Sequence, residues 1–343
     1  MTVTRTRANA CCPSRRTSTF STRLQLSPTV SPARILAASA GSRSASSDQG
    51  LVHDLLPGGV PVSSFDAESN FAADEEFAKL LIRQDDVNLE IAALELARDG
   101  HRSLDFTPTL GWFDDRAAEL AGPIARAADE QDMLEALAGC LSGSHGLTGS
   151  AEAFQTAEGS FLPEVIASGH GIPISLSLIY IAVAQRLNLP LQGVAAPVHF
   201  LCRLDAPAGP LFLDAFSSGR VMEHDECLDW LGRLTGLAQE QLAPTLGPAR
   251  PRQIIQRMLN NLKAIYIDHD NWKPALSVQQ RLTLLEPASY AQRRDLALVT
   301  LKAGHPDRAL GMLQSCAKTA PSDELVALKR LIDQAHSDLA QWN

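Results

Sequence analysis

The chain has 343 residues, of which 45% are hydrophobic and 20% charged, the balance of a globular protein long enough for two domains. Its net charge of −9 excludes nucleic acid as a general partner, because phosphate binding needs a basic face. No apolar run reaches the length needed to span a bilayer, and the longest, Gly171 to Ala184, stops at Gln185-Arg186 and reads as a core helix.

From Met1 to Ser47 the chain carries seven arginines, no lysine and no acid, among many Ser and Thr residues. Without those arginines the net charge moves from −9 to −16. Arg-rich, Ser-rich and acid-free is the composition of an organelle transit peptide. Pro28 and Pro32 interrupt a continuous amphipathic helix, which favours chloroplast over mitochondrion. Residues 48–75 are weakly periodic and read as a linker. Past the leader four cysteines remain, Cys140, Cys202, Cys227 and Cys316, and none forms a C-x-x-C pair. They read as buried thiols of a reducing compartment.

Helical spacing begins at Glu76 with Phe77, Leu80 and Leu81, and a second short helix is expected over Asn88–Arg98. The segment 106–139 continues in helical style, with Leu110, Trp112 and Phe113 as anchors and Asp114-Asp115 starting a new helix. Residues 142–160 are rich in Gly and Ser and read as a loop attached through Phe154, Phe161 and Leu162. A short helix over 161–167 closes at Gly169. The central helix opens at Pro173 or Ser175 and ends near Asn188. The period then changes from 3.6 to 2. Leu191–Ala195, Val198–Leu204 and Leu211–Phe216 are expected strands, the last two joined by a loop at 205–210. This is an α+β arrangement.

From Arg250 the chain is helical, and an offset of 34 residues aligns Leu262 with Leu296, Ala275 with Ala309 and Pro287 with Pro321. That period, with Ala at the helix contact and Pro after the second helix, is the tetratricopeptide pattern. Two units are fewer than a free-standing array needs, so the pair is expected to lean on the first domain.

One grouping points to chemistry. If the hairpin pairs about the 205–210 loop, Asp214 lies opposite Leu201, and His199 points to the same face. A carboxylate beside an imidazole fixes its tautomer and stabilises its cation, as a general base requires. A nucleophile belongs at a helix start, and Ser175 is the one nucleophilic side chain there. A plainer reading competes: Ser175 as a helix cap, His199 as a structural histidine and Asp214 as a brace for the turn before Ser217-Ser218-Gly219. No metal site is expected, since His199 and Cys202 fall on opposite faces of a strand and His224 with Cys227 gives only two ligands.

The run GIPISLSLIYIAVAQRLNLPLQGV at 171–194, then HFLCR and FLDAF, resembles the SirB-type transglutaminase-like family, and RMLNNLKAIYIDHDNWKPAL resembles the tetratricopeptide-type tail that follows it. The likeness covers Glu76 to Pro321. It implies a transglutaminase-like (papain-like) domain at 76–249 and a C-terminal all-α helical pair at 250–343. The wider superfamily uses Cys, His and Asp. His199 and Asp214 match the last two, while the Cys position falls at or beside Pro173, where this chain has no cysteine. The family tends to place Arg at His170, Gly at Val198 and Pro at Ala215. The resemblance thus implies a non-catalytic scaffold or adaptor that binds a protein partner through the repeats, without cofactor, nucleic acid or membrane. F-box proteins among wider relatives fit such a role. The alternative is a hydrolase or acyltransferase using Ser175, His199 and Asp214.

Overall fold

The computed structural model describes residues 71–342, so the expected transit peptide and most of the expected linker lie outside the described residues. The first half is a helical layer. It contains α1 (Glu75–Leu81), α2 (Leu89–Gly100), α3 (Thr107–Arg126) and α4 (Glu130–Ala138). Asn88 caps α2 by accepting the amides of Glu90 and Ile91, and Asp129 caps α4 by accepting that of Asp132. α3 runs unbroken through Asp114 and Asp115, so the helix start expected there is not made. Arg186 explains why. It reaches Asp114 at 2.5 Å and forks onto Glu90 at 2.6 and 3.0 Å, so Asp114 serves as a tertiary partner in mid-helix.

After α4 the winding loosens into one π-helical turn, Gly139–Ser144. The Gly/Ser-rich stretch beyond it holds a short strand, β1 (Thr148–Gly149), and two 3₁₀ turns. Phe161 and Leu162 are buried there as expected, but Phe154 is 51% exposed. Then come α5 (Leu162–Ser168) and β2 (His170–Gly171), with Gly169 at φ 77° closing α5 in the left-handed conformation that glycine adopts without strain.

The central helix α6 (Pro173–Arg186) has every residue from Pro173 to Ala184 buried, as a helix apolar on all sides must. It backs a four-stranded antiparallel sheet in the order β3 (Gln192–Val194), β4 (Leu201–Ala206), β5 (Gly209–Asp214), β6 (Arg220–Glu223). Side chains alternate across it. Cys202, Leu204 and Leu213 join the main core with α6. Leu201, Phe212 and Met222 join a second cluster with Cys227, Leu228 and Leu231 of α7 (His224–Thr235). A short α8 (Gln239–Leu242) leads to the repeats.

The C-terminal helices are α9 (Pro251–Asp268), α10 (Trp272–Leu285), α11 (Tyr290–Lys302), α12 (Pro306–Ala317) and α13 (Leu325–Trp342). The equivalent alanines Ala275 and Ala309 are both fully buried. The main core does not stop at residue 250. Ile254, Ile255, Met258, Leu259 and Leu262 of α9, with Val278, Leu282 and Leu285 of α10, belong to the cluster that contains α6.

Ionic contacts add to this junction. Arg281 of α10 is 1% exposed and binds Asp99 through Nε and Nη2 at 2.7 Å each, as well as Asp74, which also accepts from Arg98. The rings of Phe71 and Phe77 lie 3.9 and 4.7 Å from its guanidinium. Farther along the repeats, Lys263 meets Asp295 at 2.7 Å in full burial, and Arg294 connects Asp295 to Glu324.

Candidate functional site

The β4–β5 hairpin sets the site. Cys202 pairs with Leu213, Arg203 with Phe212 and Ala206 with Gly209, a register that extrapolates to Asp214 opposite Leu201. The turn is tighter than expected, with only Pro207 and Ala208 between the last paired residues and Gly209 at φ 134°. A Pro-containing connection needs that conformational freedom, and glycine supplies it.

His199 is not on the strand. It lies two residues before β4, in the connection from β3, after Val198 at φ 56°. A β-branched residue in the left-handed region is strained, and this is the position where the resembling family tends to have Gly. The turn aims the imidazole at the end of β5, where His199 Nε2 meets Asp214 Oδ1 at 2.8 Å. Asp214, 1% exposed, also accepts the Phe216 amide at 3.0 Å. Burial alone raises its pKa, but the hydrogen bond and charge of His199, aided by Ser217, outweigh that and leave the carboxyl below the usual range. His199 Nδ1 has no hydrogen-bond partner among the described residues.

Aromatic edges enclose the imidazole. Phe216 and Trp230 stand nearly perpendicular to it, with ring centroids 6.0 and 5.0 Å away, and exposed Phe154 packs on Phe216 at 5.7 Å. No motif marks Phe216 or Trp230 as residues of the site. A Trp midway along an amphipathic helix just beyond the strands was the available signal. Gly149 lets this happen. Its amide donates to the Phe216 carbonyl at 2.9 Å, and a Cβ there would sit 2.2 Å from the Phe216 ring. Through the parallel pairing of β1 with β2, Gly149 also ties Phe216 to Gly171, just before α6.

Ser175 is placed otherwise. Pro173 opens α6 and Ser175 follows two residues later, fully buried. Its hydroxyl accepts the Ile172 amide at 3.1 Å and donates to the Gly159 carbonyl at 2.7 Å, with the Ile172 carbonyl at 3.0 Å as a further acceptor. This is the reach-back half of a capping box. Among the described residues, no hydrogen bond joins Ser175 to His199. The four thiols among the described residues are all buried, and burial pushes Cys140 to about 11, Cys202 and Cys227 to about 12, and Cys316 up as well. His170, where the family tends to have Arg, is exposed on β2 and turns its Nδ1 to the Ser168 carbonyl at 2.8 Å.

Arg257 connects α9 to the loop that carries His199. Arg257 of α9 donates to the Ala196 carbonyl at 2.9 Å, three residues before His199, with its guanidinium 5.8 Å from the Phe200 ring. Burial lowers its pKa to about 10.

Comparison with known proteins agrees with this architecture. Residues 111–260 match the transglutaminase-like superfamily and residues 262–331 the tetratricopeptide repeat. A UPF0162 protein of Xylella fastidiosa is 36% identical over 54% of this chain and 67% of its own length. Protein SirB1 of Salmonella typhimurium is 26% identical over 66% of this chain and 85% of its own. F-box only protein 21 of Mus musculus is 32% identical over 31% of this chain but only 17% of its own length. No solved structure matches the chain. A transglutaminase-like domain followed by tetratricopeptide repeats, together with these relatives, places the chain in the SirB-type family of transglutaminase-like proteins.

Proposed function

We propose that the protein is a non-catalytic scaffold of an organelle, in which the repeats hold a protein partner beside a degenerate transglutaminase-like cleft. The observation that carries this reading is the intact His199–Asp214 pair at 2.8 Å with no nucleophile among the described residues hydrogen-bonded to it. General-base chemistry needs a group from which to take a proton, and the Ser175 proton is given to the Gly159 carbonyl in a buried cap. The tetratricopeptide match supports protein binding, and the Arg-rich, acid-free leader supports an organelle, with chloroplast favoured by its prolines.

A second reading, a serine-dependent hydrolase or acyltransferase, draws on the same His199–Asp214 geometry. Labelling with a serine-reactive fluorophosphonate separates the two, using wild type, Ser175→Ala and His199→Ala. The scaffold reading expects no labelling in any of the three. It also expects Ser175→Ala to lose about 1–3 kcal/mol of stability, because a buried carbonyl and amide lose their partner. Wild-type labelling that disappears in both variants makes the protein a hydrolase.

A further inference from the structure

Away from the His199 site, three different metal-ligating side chains converge. Glu119 of α3, Cys140 in the π-helical turn and His145 at its end place one ligand atom each within 4.8 Å of one another. His145 Nε2 meets Glu119 Oε2 at 2.9 Å. We propose that Glu119, Cys140 and His145 form a binding site for a zinc-class divalent cation, with the fourth position open to water or a ligand.

The backbone brings the two ligands of the turn together. In an α-helix, side chains five residues apart point about 140° away from each other. Here the winding is looser, and the His145 amide donates to the Cys140 carbonyl at 3.0 Å, an i→i+5 bond between the two ligand residues themselves. π-turns of this kind are rare and frequent at functional sites.

The donor set selects the ion. Sulfur, imidazole nitrogen and carboxylate oxygen together suit zinc and disfavour magnesium and calcium, which take oxygen ligands. Tetrahedral coordination at ordinary zinc bond lengths separates ligand atoms by about 3.4–3.7 Å, so adjustments of about 1 Å complete the site. Glu119 is exposed and His145 partly so, which leaves both free to make them.

Neighbours orient the ligands. Trp112 stands edge-on to the His145 ring at 5.9 Å, and Arg116 lies over Trp112 at 5.2 Å with its Nε 3.2 Å from Glu119 Oε2. That guanidinium holds the carboxylate from outside and adds a positive charge to the two negative ligands. Binding forms the metal–sulfur bond at the expense of S–H, and that proton leaves to solvent.

The test uses the full-length chain with cobalt(II) as a spectroscopic probe and zinc as competitor. The expected result is a thiolate-to-cobalt charge-transfer band saturating at one ion per chain, abolished by zinc and absent in Cys140→Ser. Glu119→Gln, a surface change that leaves the fold intact, weakens zinc binding about tenfold or more. A folded wild type with no band overturns the site, as does a band that Cys140→Ser retains, whether from Cys11-Cys12 or another source. If Cys140→Ser does not fold, Glu119→Gln decides, and unchanged zinc affinity there refutes the three-ligand site.

Discussion

Arg281 offers the sharpest test of how the repeats are joined to the rest of the molecule. Its guanidinium is buried between Phe71 and Phe77 and neutralises Asp74 and Asp99, which come from the opposite end of the chain. Arg281→Ala leaves Asp74, itself 3% exposed, facing a cavity with only Arg98 to offset it. Breaking a buried pair by removing one partner costs about 3–5 kcal/mol, because the desolvated charge left behind is uncompensated. Loss of the two ring contacts adds about 0.5–1 kcal/mol each. An ordinary domain has about 5–15 kcal/mol in total, so the variant should be close to unfolding. Urea denaturation followed by circular dichroism and tryptophan fluorescence reads the change as a lowered midpoint. Arg281→Met with Asp74→Asn keeps apolar volume and removes the more deeply buried of the two orphaned charges, and it should recover most of the loss. A single-variant cost under about 1 kcal/mol, or a double variant no better than the single, refutes the argument that the ions hold this junction.

Three further outcomes follow from the geometry. Asp214 has a folded pKa below its unfolded value of about 3.9, so its contribution is complete above that pH and is lost as pH falls through the folded value. Asp214→Asn should therefore flatten the acid limb of a stability–pH profile below about pH 4, and an unchanged limb refutes the pairing. Gly at position 198 should be more stable than Ala by about 1 kcal/mol, since both remove the side chain and only Gly relieves the left-handed strain; equal stabilities by thermal melting refute it. Cutting the chain at residue 249 uncovers the core face that receives Ile254, Ile255, Met258, Leu259 and Leu262, at about 1.5–3 kcal/mol each. The shortened protein should aggregate in size-exclusion chromatography, and a stable monomer contradicts the shared core.

Much of the frame was legible because it rests on local rules. The period change after residue 190 marked the sheet, and alternation in β4 and β5 fixed a register in which Asp214 faces Leu201. What failed depended on partners far away in sequence. His199 looks like a strand residue because nothing in Pro197-Val198 announces a left-handed turn. Asp114 looked like a helix start because its arginine lies 72 residues on. Ser175 looked available because the carbonyl that takes its proton is 16 residues back. β6 is hard to read because Arg220–Glu223 has only four residues, two of them charged, and is made a strand by pairing with β5 and not by propensity. The Glu119–Cys140–His145 group left no trace as a motif, because its spacing matches no known ligand pattern and its closure depends on a π-turn.

Arg257 gives the molecule a mechanical continuity. α9 is at once the first helix of the repeat stack and the anchor of the loop that carries the imidazole, gripped through a single backbone carbonyl. The carbonyl two residues before the strained Val198 is thus held from α9. α9 is also packed through Ile254 and Ile255 into the core that holds α6, and the Ala249 amide just before it donates to the Gly193 carbonyl of β3 at 2.8 Å, so the repeats, the sheet and the histidine loop rest on one foundation.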